Sequence, residues 1–500
     1  MLFVKHLTTA ALPLSESGPE QRSLPSADEP FANEQYKTSP LKRGTKEMEK
    51  STETAKNGIV EGVIWKQLLL FFFPILFGTF FQQLYNAADA MIVGRFVGKE
   101  ALSAVGGSTG MLTQMVVGFF VGLSAGASVI ISQYYGARRP EMVGYAVHTS
   151  IAFSILAGFG VMVAGIGLAP MMLRAMDTPA DVLELSLLYI RIYFAGIIGN
   201  LIYNMGASIL RAIGDSRRPL YFLIASCLTN IVLDVIFVVF LRMGVEGAAL
   251  ATIISQALSA VLVIGALMRT KDMYRLEWKK VRLDGRMLKR MVKIGFPAGL
   301  QSVMYSSSNI IIQSSINSLG TNTVAAWTAY SKIDSVFWMI VSAFGISVTT
   351  FVGQNFGAGK TDRVRHGVRT CMVMTVIASL LISFVIYHWG IFGYELFTED
   401  RDVIEIGINM MRYLTPFYVT YVAIEVLSGA LRGVGDCWIP MILCCFGVCV
   451  LRVAWVMFAV PLRKDIYSIM FSYPMTWIVT TVLFIVYYLF FSKLKRKENI

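Results

Sequence analysis

The sequence predicts an all-α integral membrane protein, with twelve transmembrane helices arranged as two six-helix bundles related by a pseudo-two-fold axis along the membrane normal. Hydrophobic residues make up 55% of the 500 residues and charged residues only 15%, whereas a soluble domain carries about 25% charged residues. Apolar runs of about 20 residues, long enough to cross a bilayer, recur along the chain. Sequence motifs also repeat at a nearly constant offset. The composition excludes a soluble enzyme, a secreted disulfide scaffold and a largely disordered protein.

The first 61 residues differ from the rest of the chain. They are rich in Ser, Thr, Glu, Lys and Pro and show no sustained periodicity, so they cannot bury enough apolar surface to become ordered. We expect residues 1–61 to be a disordered cytoplasmic tail. Alternatively, translation starts at Met48, just ahead of the membrane region.

Twelve apolar runs follow this tail, and each is predicted to be a helix, because a single span in lipid must satisfy its own backbone hydrogen bonds. The predicted spans are 66–93, 105–132, 143–168, 186–211, 218–241, 247–268, 290–318, 323–352, 365–392, 405–431, 438–460 and 467–491. They define a first bundle over 62–268, a cytoplasmic linker over 269–289, a second bundle over 290–492 and a basic cytoplasmic tail over 493–500.

The net charge of +12 is distributed unevenly between the two sides of the predicted membrane region. Most loop Lys and Arg residues lie in the loops that follow even-numbered spans and in the C-terminal tail. By the positive-inside rule, both termini are predicted to be cytoplasmic. We expect the basic linker to meet anionic lipid headgroups, and we expect no nucleic-acid partner.

Two motifs in the first half of the chain recur 221 residues later. RAIGDSRRP at 211–219 returns as RGVGDCWIP at 432–440, and QYYGA at 133–137 returns as QNFGA at 354–358. Internal repeats are a primary sign of architecture. Each repeat holds six spans, an even number, so the halves share one orientation, as in a transporter with a central cavity that opens alternately to either side.

The R-x-x-G-D motifs are interpreted as structural turns. Gly214 and Gly435 can adopt the left-handed conformation that ends a helix. Asp215 and Asp436 can cap the helix that follows.

Four polar side chains are predicted to share one depth in the first half. Asp89 and Asp234 lie roughly 9 Å and 12 Å below the outer boundary at 1.5 Å per residue. Asn230 lies one turn from Asp234 on the same helix face, and Thr252 enters span 6 at a similar depth. Such oxygen ligands suit a small cation, and two neighbouring carboxylates suit proton carriage. Alternatively, Asp89 lies at the interface and pairs with Arg95.

Other polar residues within the spans are weaker candidates. Asn200 and Asn204 share a face of span 4, where they either line a substrate cavity or bond across helices. Glu425 in span 10 is a candidate for attracting a cationic substrate. Lys332 and Asp334 suggest a local polar cluster in span 8.

Several motifs that resemble enzyme sites are rejected. GLSAG at 122–126 matches a nucleophile elbow but lies in an apolar helix rather than a strand–turn–helix, where small residues favour close helix packing. GAGKT at 357–361 lacks the first glycine of a phosphate-binding loop, because position 354 is glutamine. We therefore expect no catalytic residues, no cofactor and no resident metal, with an ion gradient as the energy source.

The chain resembles the multidrug and toxic compound extrusion (MATE) family over about residues 64–492. The resemblance is carried by the prolines of spans 1 and 7, DAMIVGRFVGKEALSAVG after span 1, NIVLD in span 5, and the two Q-x-x-G-A and two R-x-x-G-D turns. It implies a V-shaped cavity between the bundles and export of organic, often cationic or amphipathic, compounds in exchange for Na⁺ or H⁺.

In the prokaryotic branch that the sequence resembles, the residues that match Asp89, Asn230, Asp234 and Thr252 form the cation site of the N-terminal half. Some members also carry a carboxylate in span 7, which this sequence lacks. We expect a monomer in the cell membrane whose partners are small-molecule substrates and the bilayer. The alternative function is a flippase for lipid-linked sugars, or a metabolite exporter of the same superfamily.

Overall fold

The computed structural model of the protein describes residues 58–176 and 178–492, and these are almost entirely helical. The first half contains α1 (Ile64–Phe96), α2 (Ser108–Gly136), α3 (Pro140–Ala175), α4 (Ala180–Ala212), α5 (Arg217–Asp234) and α6 (Gly244–Arg269). The second half contains α7 (Gly285–Asn317), α8 (Thr321–Gly357), α9 (Thr361–Glu395), α10 (Arg401–Gly433), α11 (Trp438–Leu462) and α12 (Ile466–Phe490). The predicted all-α, twelve-helix fold is confirmed.

Eleven of the helices in the described part of the chain are long and apolar enough to cross a membrane. The remaining one, α7, has 33 residues, which at 1.5 Å per residue is also enough to cross a bilayer. Its sequence is less apolar because Ser, Asn and Gln occupy much of its second half.

Three helices contain departures from regular α geometry. α5 continues beyond Asp234 as a π-helix, Val235–Phe240. α11 contains a second π-helix, Cys445–Val450, and α10 is interrupted by the 3₁₀ turn Thr415–Phe417. π-Helical turns are rare and occur often at functional sites, which makes the position of the first one, directly after Asp234, notable for the site described below.

Helical structure is present before the predicted boundary at residue 62. Gly58–Glu61 forms a short helix with Ile59 and Val60 buried, so these residues are not part of a disordered tail. Arg363 donates to the carbonyl oxygens of Ile59 and Gly62. The predictions for residues 1–57 and 493–500 lie outside the described residues.

The linker between the halves is shorter than predicted and is packed against the bundle. It runs over 270–284, because α7 begins at Gly285, where the Asp284 side chain caps it by accepting from the backbone N–H of Met287. Tyr274 and Leu276 are buried. The backbone N–H of Glu277 donates to His148 Nε2 of α3 at 3.1 Å.

We call the end of the bundle that carries the loops after even-numbered helices the basic end, and the opposite end the far end. The predicted turns lie at the basic end with the predicted geometry: Gly214 and Gly435 have φ of +97° and +84°. Asp215 accepts from the first backbone N–H groups of α5. Asp436 instead accepts from Tyr487 Oη at 2.6 Å.

The two halves meet closely where α2 and α7 approach the basic end. A Cβ atom added at Gly122 or Gly126 would collide with the backbone of α7, and one added at Gly295 would lie 2.6 Å from the Leu123 carbonyl oxygen. The small residues of GLSAG therefore serve close helix packing, as predicted.

Toward the far end, α1 and α7 expose polar side chains. Gln82, Gln83 and Asn86 of α1 are exposed, as are Ser307 and Asn309 of α7. Polar side chains in the membrane-crossing part of a helix are costly against lipid and are expected to face water. We therefore expect these faces of α1 and α7 to meet water toward the far end.

Candidate functional site

Four side chains from three helices of the first half come together in the protein interior. Asp89 of α1, Asn230 and Asp234 of α5, and Thr252 of α6 are each at most 6% exposed. Thr252 Oγ1 lies 3.4 Å from Asp89 Oδ2, and the Asp89 carboxyl faces Asp234 and Asn230 as well. We call this group the Asp89–Asp234 cluster.

The cluster does not fit the alternative in which Asp89 lies at the membrane interface beside Arg95. Asp89 is buried, whereas Arg95, less than two turns further along α1, is exposed. The carboxyl is thus turned into the first half, toward α5 and α6.

Most oxygen atoms of the cluster have no protein donor. Within residues 58–176 and 178–492, no hydrogen-bond partner is found for Asp89 Oδ1, for either carboxylate oxygen of Asp234, or for the side-chain oxygen and nitrogen of Asn230. A buried carboxylate is costly unless a proton or another cation compensates its charge. The donor set of two carboxylates, an amide oxygen and a hydroxyl suits a hard cation such as Na⁺, and the paired carboxylates equally suit a proton.

Three tyrosines that the sequence analysis did not single out lie beside the cluster, and two of them, Tyr189 and Tyr193, are buried. Tyr85 and Tyr189 are close enough to interact electrostatically with Asp89, and Tyr193 is close to both of these tyrosines. Tyr85 precedes Asp89 by four residues, so helical periodicity could have placed it on the same face. Tyr189 and Tyr193 lie on α4, and only the tertiary fold brings them to the site.

A polar pocket adjoins the cluster on the side of the basic end. Asn200 and Asn204 line it, and Asn204 Nδ2 donates to Asn200 Oδ1 at 2.9 Å along the same helix. The other lining residues are Gln82, Tyr85, Tyr203, Leu223, Ser226, Ser255, Gln256 and Ser259. All ten are uncharged, and they come from the same three helices as the cluster together with α4.

The second half does not repeat this arrangement. Asp334 of α8 accepts hydrogen bonds from Tyr418 Oη and, at 2.6 Å, from Trp338 Nε1. Lys332 is exposed. The prediction of a Lys332–Asp334 cluster is therefore wrong: residues two apart on a helix point to different faces, and aromatic donors satisfy the carboxylate instead.

Glu425 lies in the second half, apart from the pocket lined by Asn200 and Asn204. Its side chain packs against Gly345, where an added Cβ atom would be 2.9 Å from Glu425 Cγ. Glu425 is therefore not among the residues that line this pocket with Asn200 and Asn204.

The second half also contains a buried cation that the sequence reading did not single out. Arg452 of α11 is 4% exposed, donates to Thr476 Oγ1 of α12 at 3.1 Å, and lies 4.0 Å from the centroid of the Tyr473 ring. α11 and α12 are the repeats of α5 and α6. The first half has two carboxylates between α1, α5 and α6. The second half has a guanidinium between α11 and α12.

No group of three or more His, Cys, Asp or Glu side chains suited to a metal ion occurs in the described part of the chain. The Asp89–Asp234 cluster differs from such a centre because two of its four members are neutral.

Comparison with known proteins places these features in a family. The family model described as MatE matches residues 74–236 and 297–457, once in each half. The chain is 28% identical over 444 residues to the probable multidrug resistance protein YoeA of Bacillus subtilis, covering 87% of this chain and 95% of that protein. It is 30% identical over 383 residues to the probable multidrug resistance protein YpnP of the same organism, covering 75% and 84%.

The fold is likewise found among solved structures. A MATE protein crystallised in the bent conformation superposes with a TM-score of 0.83 at 23% identity, covering 90% of this chain and 100% of that one. At this identity the likeness concerns the fold alone, and it agrees with the two six-helix halves described above.

Proposed function

The chain belongs to the MatE family of membrane transporters, and we propose that it is an antiporter that exports organic compounds in exchange for Na⁺ or H⁺ by alternating access. The observation that carries this proposal is the Asp89–Asp234 cluster. It joins three helices of one half through buried oxygens that a cation would satisfy. The cation would enter from the far end, where α1 and α7 expose polar side chains.

Ion binding and substrate binding are coupled in this proposal because they use the same helices. α1 contributes Asp89 to the cluster and Gln82 to the pocket, α5 contributes Asp234 and Ser226, and α6 contributes Thr252 and Gln256. A cation that draws the three helices together at the cluster alters the shape of the pocket one turn away. Two ligands that favour different arrangements of one element are thermodynamically coupled.

The pocket suggests how an organic compound is held. Its amide and hydroxyl groups can donate and accept hydrogen bonds, while the neighbouring carboxylates attract positive charge when no cation is bound. This combination fits cationic or amphipathic compounds with polar groups. The release of such a compound when a cation neutralises the cluster is the expected direction of exchange.

The function is tested with purified protein in liposomes loaded with a fluorescent cationic dye, under sodium and proton gradients applied separately. One gradient is expected to drive dye flux, and Asp234→Asn is expected to abolish it. Asp181→Asn, at an exposed aspartate of the far end, is the matched control and should retain flux. If neither gradient drives flux of any dye, the alternative of a lipid-linked sugar or metabolite transporter becomes the better proposal.

We further propose that the protein acts as a monomer in the cell membrane with both termini in the cytoplasm. The basic loops at one end of the bundle support this orientation. Labelling of a single cysteine at position 362 in whole cells tests it: a membrane-impermeant thiol reagent should react only after the membrane is opened.

A further inference from the structure

The two Q-x-x-G-A motifs cross each other at the basic end, where α2 and α8 end. A Cβ atom added at Gly136 would collide with the carbonyl group of Gln354, and one added at Gly357 would collide with that of Gln133. The relation is reciprocal, as expected if the pseudo-two-fold axis passes between the two motifs. The backbones of the two halves are therefore in direct contact here.

Each glutamine side chain extends from this crossing into the other half. Gln133 Nε2 donates to the carbonyl oxygen of Gly433 at 2.8 Å, and Gln354 Nε2 donates to that of Ala212 at 2.7 Å. Both glutamines are buried. Gly433 is the last residue of α10 and Ala212 the last residue of α4, so each bond joins a helix end of one half to a helix end of the other.

The two acceptors are the carbonyl groups that receive no backbone donor within their own turns. The last carbonyls of a helix have no intrahelical donor. In each R-x-x-G-D turn, backbone N–H groups satisfy three of them, those of Ile209, Leu210 and Arg211 in the first half and of Ala430, Leu431 and Arg432 in the second. The fourth carbonyl, of Ala212 or Gly433, receives its donor from the opposite half.

We propose that Gln133 and Gln354 form a reciprocal latch that keeps the basic end closed while the space between the halves is open to the far end. The bonds link the two halves directly, so the basic end cannot open without breaking both. When it opens, water can take the place of each glutamine at the Ala212 and Gly433 carbonyls. Breaking the latch thus replaces one hydrogen bond by another, which makes the closure reversible.

The test measures the distance between the halves at the basic end. Glu141 and Asp362 occupy repeat-related positions in the first turns of α3 and α9, and both are exposed. Spin labels on Glu141→Cys and Asp362→Cys, in protein whose six native cysteines are replaced, report this distance by double electron–electron resonance. Gln133→Leu and Gln354→Leu remove the donors and roughly preserve side-chain volume.

Each single variant is expected to raise the ratio of open to closed molecules about fivefold, as for loss of one buried hydrogen bond. The double variant is expected to raise it further. Gln114→Leu, at an exposed glutamine near the other end of α2, is the control and should match the parent. Gln133→Asn, which keeps the amide but is too short to reach Gly433, should behave like Gln133→Leu.

An unchanged distance distribution in both single variants, with melting temperatures equal to that of the Gln114→Leu control, would overturn the latch. If the double variant does not fold, the single variants and Gln133→Asn still decide the question. The measurement needs no transport, so failure of the latch is distinguishable from failure of the proposed function. A protein that moves no dye under any gradient can still show the shift in distance.

Discussion

Asp234 has no exposed surface, and neither of its carboxylate oxygens has a hydrogen-bond partner among the described residues. Asp89 faces it from another helix. Two such carboxylates are unfavourable together in the absence of a proton or metal cation. We therefore expect the cluster to lower the stability of the protein unless a cation is present, and in the proposed exchange this cost links ion binding to helix arrangement.

We expect Asp89→Asn to raise the melting temperature of the purified protein in sodium-free buffer at high pH, because it removes one of the two buried charges. We expect the same variant to lose the stabilisation that sodium or acid gives to the parent protein. Differential scanning fluorimetry across sodium concentrations and pH values measures both effects. A variant that is stabilised by the cation as strongly as the parent would show that Asp89 is no ligand.

Thr252→Val tests the hydroxyl ligand separately from the carboxylates. Thr252 Oγ1 also donates to the Ala248 carbonyl oxygen of its own helix at 2.9 Å, so its removal should leave α6 intact. We expect the apparent cation affinity to fall about fivefold, as for loss of roughly 1 kcal/mol. Thr375→Val, at a buried threonine of α9 that bonds its own helix, should leave the affinity unchanged.

At the scale of elements, the sequence predicted which segments are helices but not all of their limits. Apolar runs identify the twelve spans because each must cross the bilayer. The first turn of α7 lies outside its apolar run, and only the cap from Asp284 shows that the helix begins there. The π-helix Val235–Phe240 could not be predicted, because its apolar residues fit an α-helix equally well.

The candidate site was predictable in part for the same reason. Depth along the spans brought Asp89, Asp234 and Thr252 to one level, and helical spacing placed Asn230 with them. Trp338 lies one turn from Asp334 on the same helix, but the Tyr418 partner depends on which face of α10 meets α8, which no local pattern encodes. Arg452 was visible as an arginine in an apolar run, but its burial between α11 and α12 becomes clear only in the packed structure.

The crossing of α2 and α8 leaves no room for a side chain at Gly136. We expect Gly136→Ala to force the halves apart at the basic end and to destabilise the protein by about 1–3 kcal/mol, as overpacking does. Gly144→Ala, at a helical glycine with open space around it, should be neutral or slightly stabilising. Thermal unfolding and dye flux of the two variants give the comparison, and equal behaviour would contradict the close crossing.

At the scale of the whole molecule, the two halves share a fold but differ in interior charge. The first half places two carboxylates between α1, α5 and α6. The second half has no acid in α7, satisfies Asp334 with aromatic donors, and holds Arg452 between α11 and α12. A fixed guanidinium between α11 and α12 repels a second cation in that part of the second half.

We therefore expect each molecule to bind one coupling cation. Equilibrium binding of radioactive sodium to the purified protein, or proton uptake in weakly buffered detergent solution if sodium does not bind, measures the stoichiometry. The expected value is close to one per chain, and it should fall to near zero in Asp234→Asn. A value near two, with one cation still bound in Asp234→Asn, would contradict this expectation. It would place a second site in the other half and show that Arg452 does not take the place of a cation there.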